Sequence, residues 1–126
     1  MMSVIARILL GIIFLVLGLN GFFHFLPTPP ISGMAGAFFN TMIDSHFYIM
    51  VFAVQVIAAV MLLIDQYVPL ALVLLASVLA NVLNFHITML PSGLPLPLFT
   101  TLLWFVTAWP LRSHFAQLFV RKVKAV

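Results

Sequence analysis

Long apolar runs, separated by short polar breaks, divide this chain into four segments. They predict helices over residues 4–26, 46–64, 67–90 and 95–111, followed by a tail over residues 112–126. Each run approaches the roughly 20 residues that an α-helix needs to cross about 30 Å of hydrocarbon. The pattern therefore predicts one domain of the all-α class, an integral membrane four-helix bundle.

The breaks between the runs carry residues that end helices. A proline cluster follows the first run, Asp65-Gln66 separates the second run from the third, and a proline–glycine turn precedes the fourth. Proline cannot continue a helix, and a two-residue break makes the helices on either side antiparallel neighbours. Residues 31–45 mix glycine with methionine and phenylalanine, which predicts a short helix in the membrane interface.

Composition excludes a soluble domain and several kinds of chemistry. Of 126 residues, 65% are hydrophobic and 6% are charged, so no charged face can be built that would keep the folded chain in solution. Cysteine is absent. Disulfides, thiolate nucleophiles and iron–sulfur ligation are therefore excluded.

The charges lie at the two ends of the chain and predict its orientation. Both acidic residues fall at breaks between the runs, and all five basic residues flank the apolar region: Arg7, Arg112, Arg121, Lys122 and Lys124. By the positive-inside rule, both termini are then cytoplasmic, which requires an even number of spans. The first run is too long for a signal peptide and is expected to be retained. The basic tail, with apolar residues at helical spacing, is expected to lie on an anionic membrane surface. This layout gives no nucleic-acid site.

Two glycines on the first run mark a packing face. Gly11 and Gly18 are seven residues apart, nearly two helical turns, and so share one side of the helix. Small residues let a neighbouring helix approach closely. We expect this face to contact another span.

A few amide and imidazole residues lie inside the apolar runs, towards the ends predicted to face outwards. Because lipid disfavours polar side chains, these residues are expected to point into the bundle. They form a candidate pocket for the polar head of an amphipathic molecule whose tail lies between helices. The candidate ligand-binding residues are Asn20, His24, Gln55, Asn81, Asn84 and His86.

Three other interpretations of these residues stay open. Hydrogen bonds between Asn20, Gln55 and Asn81 could hold the helices together without any ligand, at about 0.6 kcal/mol each. A metal site is chemically conceivable, although no pair has ligand spacing along one helix; its ligands would be His24, His46, His86 and Asp44. A channel is disfavoured because no charged residue lies within a span. The sequence offers no nucleophile paired with a base, so no catalytic residue is predicted.

The order of these features resembles the DoxX-like family of small four-span bacterial membrane proteins. The resemblance rests on residues 6–11 (ARILLG), 18–27 (GLNGFFHFLP), 67–72 (YVPLAL), 81–86 (NVLNFH) and 91–95 (PSGLP), which occur in family order. It implies a bacterial inner-membrane protein with a four-helix bundle. The family takes its name from a subunit of a thiosulfate:quinone oxidoreductase, so the resemblance also makes a quinone an expected ligand.

Two functions follow from this reasoning. The leading expectation is a non-catalytic membrane component that binds a hydrophobic ligand, a membrane partner or a second copy of itself. The alternative is a quinone-binding subunit that receives electrons from a membrane or periplasmic redox partner, with His24 or His86 donating a hydrogen bond to the quinone carbonyl. Many family members carry a glutamate where this chain has Gln55, and some carry an acidic residue near Leu103-Trp104. The missing carboxylates weigh against proton-coupled quinone chemistry.

Overall fold

Every regular element in the computed structural model, which describes residues 1–125, is helical. Three short 3-10 turns accompany the helices, at Pro91–Gly93, Trp109–Leu111 and Gln117–Phe119. The described residues contain no strand, which confirms the all-α fold. The α-helices are α1 (Met2–Phe23), α2 (Gly33–Asp44), α3 (Tyr48–Leu63), α4 (Val68–Thr88), α5 (Pro95–Ala108) and α6 (Arg112–Ala116).

Helix α1 ends at Phe23 rather than at residue 26, ahead of the proline cluster. His24 adopts the left-handed conformation (φ 50°), and its N–H donates to the Asn20 carbonyl over 2.8 Å. The Leu26 N–H donates to Asn20 Oδ1 over 2.7 Å, so a side chain of the last turn also closes the helix. His24, predicted to lie within the first helix, is therefore beyond the helix end.

The segment between α1 and α3 contains the predicted short helix, α2. The axes of α2 and α3 meet at 88°, and the break between them contains His46 at φ 62°. The Ser45 hydroxyl accepts a hydrogen bond from the Phe47 N–H over 3.3 Å and stabilises the bend. An abrupt right angle is the geometry expected of a helix lying in the interface beside a spanning helix.

Four helices pack as a ring in the order α1, α3, α4, α5. The face of α1 with Gly11 and Gly18 lies against α3, as expected. A Cβ atom added to Gly11 would lie 2.8 Å from Leu63 Cδ2, and one added to Gly18 would lie 2.7 Å from Val56 Cγ2. These glycines therefore permit the close contact between α1 and α3.

The hydrophobic core fills only one end of this ring. We call that end, which carries the turn between α3 and α4, the turn end, and the opposite end, which carries α2, the cavity end. The fully buried large side chains all lie at or towards the turn end: Leu10, Leu62, Leu72 and Leu75. Along α1 the buried core stops at Phe14, along α4 at Leu79, and on α5 it starts only at Leu103.

Polar contacts reinforce the turn end. Arg7 Nη1 donates to the Leu62 carbonyl and lies 3.6 Å from Asp65 Oδ1, and its side chain is only 14% exposed. Trp104 Nε1 donates to the Leu72 carbonyl over 2.8 Å and so links α5 to α4. Arg7, predicted only as an orientation signal, therefore also connects α1 to the end of α3.

The helices differ in whether they can cross a membrane. α1 and α4 are long and apolar enough, and the bent pair α2–α3 would count as a third span. α5 has 14 residues, fewer than the roughly 20 of a standard span. A helical membrane bundle fits these lengths, and α5 as a fourth span stays a prediction. In the tail, helical structure stops at Phe119, and the Phe115 ring lies 6.2 Å from that of Trp104.

Candidate functional site

Two adjoining cavities occupy the cavity end of the ring. The larger, of about 600 Å³, lies among α1, α2, α3 and the first turn of α5. The smaller, of about 490 Å³, lies between α3 and α4 beneath α2. Several residues line both cavities and form the wall between them: Phe39, Met42, Phe52, Gln55, Val82, Phe85 and His86.

The cavities exist because α3 and α4 bury side chains against the core only near their shared turn. Beyond Leu79 on α4 and before Gln55 on α3 no side chain is fully buried. The space between them is covered by α2, whose Phe38 and Phe39 rings lie 5.4 Å and 5.1 Å from the Phe85 ring. Helix α2 therefore covers the cavities mainly through aromatic contacts.

The candidate polar residues divide between the two cavities. Asn20 and His24 line the larger cavity, whereas Asn81 and Asn84 line the smaller one. Gln55 and His86 line both, since they belong to the shared wall. The residues expected from the sequence to line one pocket are thus spread over two adjoining cavities.

Gln55 is the most buried of these residues, at 4% exposure. Its Nε2 donates to the Phe14 carbonyl over 3.0 Å, which fixes the amide against α1. Among the described residues Oε1 has no hydrogen-bond partner. Since every fully buried side-chain oxygen in these residues does have a partner, Oε1 is not fully buried. Oε1 is therefore accessible from the cavities and can accept a hydrogen bond.

His86 has its tautomer set by its own helix. The Nδ1 atom lies 2.8 Å from the Val82 carbonyl oxygen, which can only accept, so Nδ1 carries the hydrogen. In the neutral ring Nε2 is then an acceptor. In this neutral tautomer the one N–H of His86 is already used, and the expected donation to a quinone carbonyl stays a prediction.

The close fit of His86 depends on a glycine. A Cβ atom added to Gly93 would lie 2.6 Å from Cδ2 and 2.8 Å from Nε2 of the imidazole. Nε2 has no partner among the described residues and is not a buried unpaired atom, so it keeps some accessible surface beside Gly93, a residue that lines the larger cavity. The turn after α4 therefore leaves room for this ring at the cavity wall.

The asparagines bond to nearby backbone rather than to one another. Asn81 Nδ2 donates to the Ser77 carbonyl over 2.9 Å, within α4, and Asn20 Oδ1 accepts from Leu26 as described above. Asn81 and Asn84 are both exposed on α4. The network of Asn20, Gln55 and Asn81 considered from the sequence is not formed, because each amide finds a backbone partner closer by.

Aromatic residues form much of the wall, and the sequence analysis did not select them. The ring of Tyr48 lies 6.1 Å from that of Phe22 and 6.4 Å from that of Phe52. Tyr48 and Phe52 belong to the segment 38–52, where the interfacial helix meets the second apolar run, and the five aromatic residues of that segment were the signal that indicated them.

The lining of both cavities carries no formally charged side chain. Within residues 1–125, no three His, Asp or Glu side chains converge as a metal site would require. The walls offer aromatic surface with amide and imidazole groups. Such a lining suits an uncharged amphipathic molecule.

Comparison with known proteins identifies the family. A family model for DoxX matches residues 2–89, which is more than half of the chain. The chain belongs to the DoxX family. The match spans α1 to α4 and includes all the candidate polar residues, whereas α5 and the tail lie outside it. No curated protein and no solved structure matches the chain.

Proposed function

We propose that this DoxX-family protein is a non-catalytic membrane component that binds an uncharged amphipathic molecule at its cavity end. The observation that carries the proposal is the pair of adjoining cavities, of about 600 and 490 Å³, which fall within the range of small-molecule sites. The larger compartment would hold the polar head, beside Asn20, Gln55 and His86. The cleft between α3 and α4 would hold the tail.

The proposed membrane setting follows from the charges. With α5 as a short fourth span, both termini face the cytoplasm of a bacterial inner membrane, and the cavity end lies in the outer leaflet. The cleft between α3 and α4 then opens towards lipid, so an amphipathic molecule would enter sideways from the bilayer. Its entry requires no passage through the aqueous phase.

Native mass spectrometry tests the binding. Protein purified from its own membranes in mild detergent should carry a stoichiometric adduct. Val82→Phe, which places a ring in the wall between the cavities, should remove the adduct. Ile57→Phe adds the same ring at a position that is 56% exposed and should retain it. Bare wild-type protein, or an adduct unaffected by Val82→Phe, would contradict the proposed site.

A quinone-binding subunit is the second candidate. The observation that favours it is the aromatic wall of Phe39, Phe52 and Phe85, which could stack on a flat ring. A carbonyl of an oxidised quinone would need a donor, and the donors that line the larger cavity include Asn20 Nδ2, the His24 imidazole and the Tyr48 hydroxyl. Electrons would come from a membrane or periplasmic partner protein, since the chain has no cysteine.

The mass of the adduct separates the two candidates. A quinone of the host membrane, lost in His24→Ala, would favour the redox subunit. Another lipid-like mass, lost in Val82→Phe but retained in His24→Ala, would favour the non-catalytic component. Co-purification with a redox protein would identify the electron donor for the first case.

A further inference from the structure

The free polar atoms on the cavity wall between the two compartments are acceptors. His86 directs its N–H to the Val82 carbonyl, which leaves Nε2 with a lone pair. Gln55 directs its Nε2 to the Phe14 carbonyl, which leaves Oε1 on the open side of the amide. Both contacts are made to backbone oxygens of packed helices. Neither side chain can therefore turn its N–H towards the cavity without losing that hydrogen bond.

A wall of acceptors discriminates between polar heads. A hydroxyl head can donate to either atom, whereas an ether or ester head would place its own lone pairs against theirs. In a site lined largely by apolar and aromatic side chains, an unpaired acceptor costs more than it would in solution. Asn20 Nδ2, also open to the larger cavity, can donate to the same hydroxyl oxygen.

We infer that the site selects a molecule whose head donates a hydrogen bond, namely an amphipathic alcohol or phenol, with His86 Nε2 and Gln55 Oε1 as the acceptors. This inference rests on the proposed function, and it adds the class of ligand. Neither formal charge nor metal is involved in the selection. Specificity arises from the two backbone contacts that orient the acceptors.

The test compares two probes that differ only in the donor: para-octylphenol and its methyl ether, para-octylanisole. Binding is measured by titration calorimetry on the full chain in phosphatidylcholine nanodiscs, with empty nanodiscs subtracted. The wild type should bind the phenol about tenfold more tightly, the value of one net hydrogen bond of about 1.4 kcal/mol. The two probes partition differently into lipid, but this difference is the same for every variant. We therefore compare the ratio of the two affinities between variants.

Variants of His86 assign the preference to the acceptor. His86→Leu should reduce the phenol-to-anisole ratio at least threefold, and His86→Gln, which restores an acceptor near the position of Nε2, should recover part of it. Circular dichroism establishes that both variants fold. If His86→Leu does not fold, Gln55→Leu tests the second acceptor in the same way.

The outcomes separate this inference from the proposed function. Equal binding of both probes, abolished by Val82→Phe, would leave the cavity as a ligand site and overturn the selection of a hydroxyl. Binding of neither probe would overturn both. A phenol preference that His86→Leu and Gln55→Leu leave unchanged would also overturn the inference, because the acceptors would lie elsewhere.

Discussion

The two ends of this helical ring are formed by the same apolar helices, yet one is packed and the other is hollow. At the turn end, Leu62, Leu72 and Leu75 are completely buried. At the cavity end, the same two helices, α3 and α4, line a cleft of about 490 Å³. The same pair of helices is therefore tightly packed at one end and open at the other.

Side-chain size and helix connection explain the difference. Alanines at positions 58, 59 and 71 are fully buried and let the helices approach near their turn. At the other end, Phe52 and Phe85 are only half-buried and stand between helices that no tight turn holds together. Packing at the turn end supplies stability, whereas the open end retains the two cavities.

The largest effect should come from removing packed side chains. Leu75→Ala creates a cavity in a fully buried site and should lower the free energy of unfolding by about 3 kcal/mol. Leu90→Ala makes the same chemical change at a half-buried residue that already lines the larger cavity, and should cost less than about 1 kcal/mol. Unfolding by SDS in mild detergent, followed by tryptophan fluorescence, measures both. Equal losses would mean that the cavity end is as tightly packed as the turn end.

The polar contacts of the turn end come next. Arg7→Ala removes a hydrogen bond to the Leu62 carbonyl from a largely buried guanidinium and should cost about 2 kcal/mol. Asp65→Asn alters a partner that is 70% exposed and should cost at most about 1 kcal/mol. The same SDS titration compares the variants. A larger loss for Asp65→Asn would show that the ion pair, and not the carbonyl contact, carries the stabilisation.

A pair of substitutions one turn apart on α4 tests the boundary between the two ends. Val78→Phe enlarges a side chain that is 8% exposed, at the edge of the smaller cavity, and should cost about 1–2 kcal/mol. Val82→Phe places the same ring in the wall between the cavities and should leave stability within about 0.5 kcal/mol while blocking binding. Comparable destabilisation by both would place the boundary of the packed core beyond Val82.

Much of this fold could be predicted from the sequence, because spans and breaks depend on local composition. Three features were predicted correctly: the turn at Asp65-Gln66, the short helix before α3 and the close-packed glycine face of α1. The end of α1 was not, since it depends on the Asn20 side chain folding back onto the Leu26 N–H. Such a contact follows from three-dimensional geometry and not from hydrophobic periodicity.

The site was only partly predictable. Depth along the helices identified residues that line the two cavities, but it could not show that Gln55 and His86 belong to a shared wall. The sequence also could not show whether His86 presents a donor or an acceptor to the cavity, because this depends on which ring nitrogen contacts the Val82 carbonyl. Sequence therefore gave the residue types, and backbone contacts determined the chemistry that each presents.

The smallest expected effects belong to the two asparagines, which the sequence alone cannot distinguish. Asn20→Leu removes the acceptor of the Leu26 N–H and should lower the free energy of unfolding by about 1 kcal/mol. Asn81→Leu removes a contact to the Ser77 carbonyl within one exposed helix face and should change it by less than about 0.5 kcal/mol. Because Asn81 lines the cleft proposed for the ligand tail, a leucine there should preserve or strengthen binding. If Asn81→Leu instead abolished binding while stability held, the polar head would lie between α3 and α4, and the assignment of the two compartments would have to be exchanged.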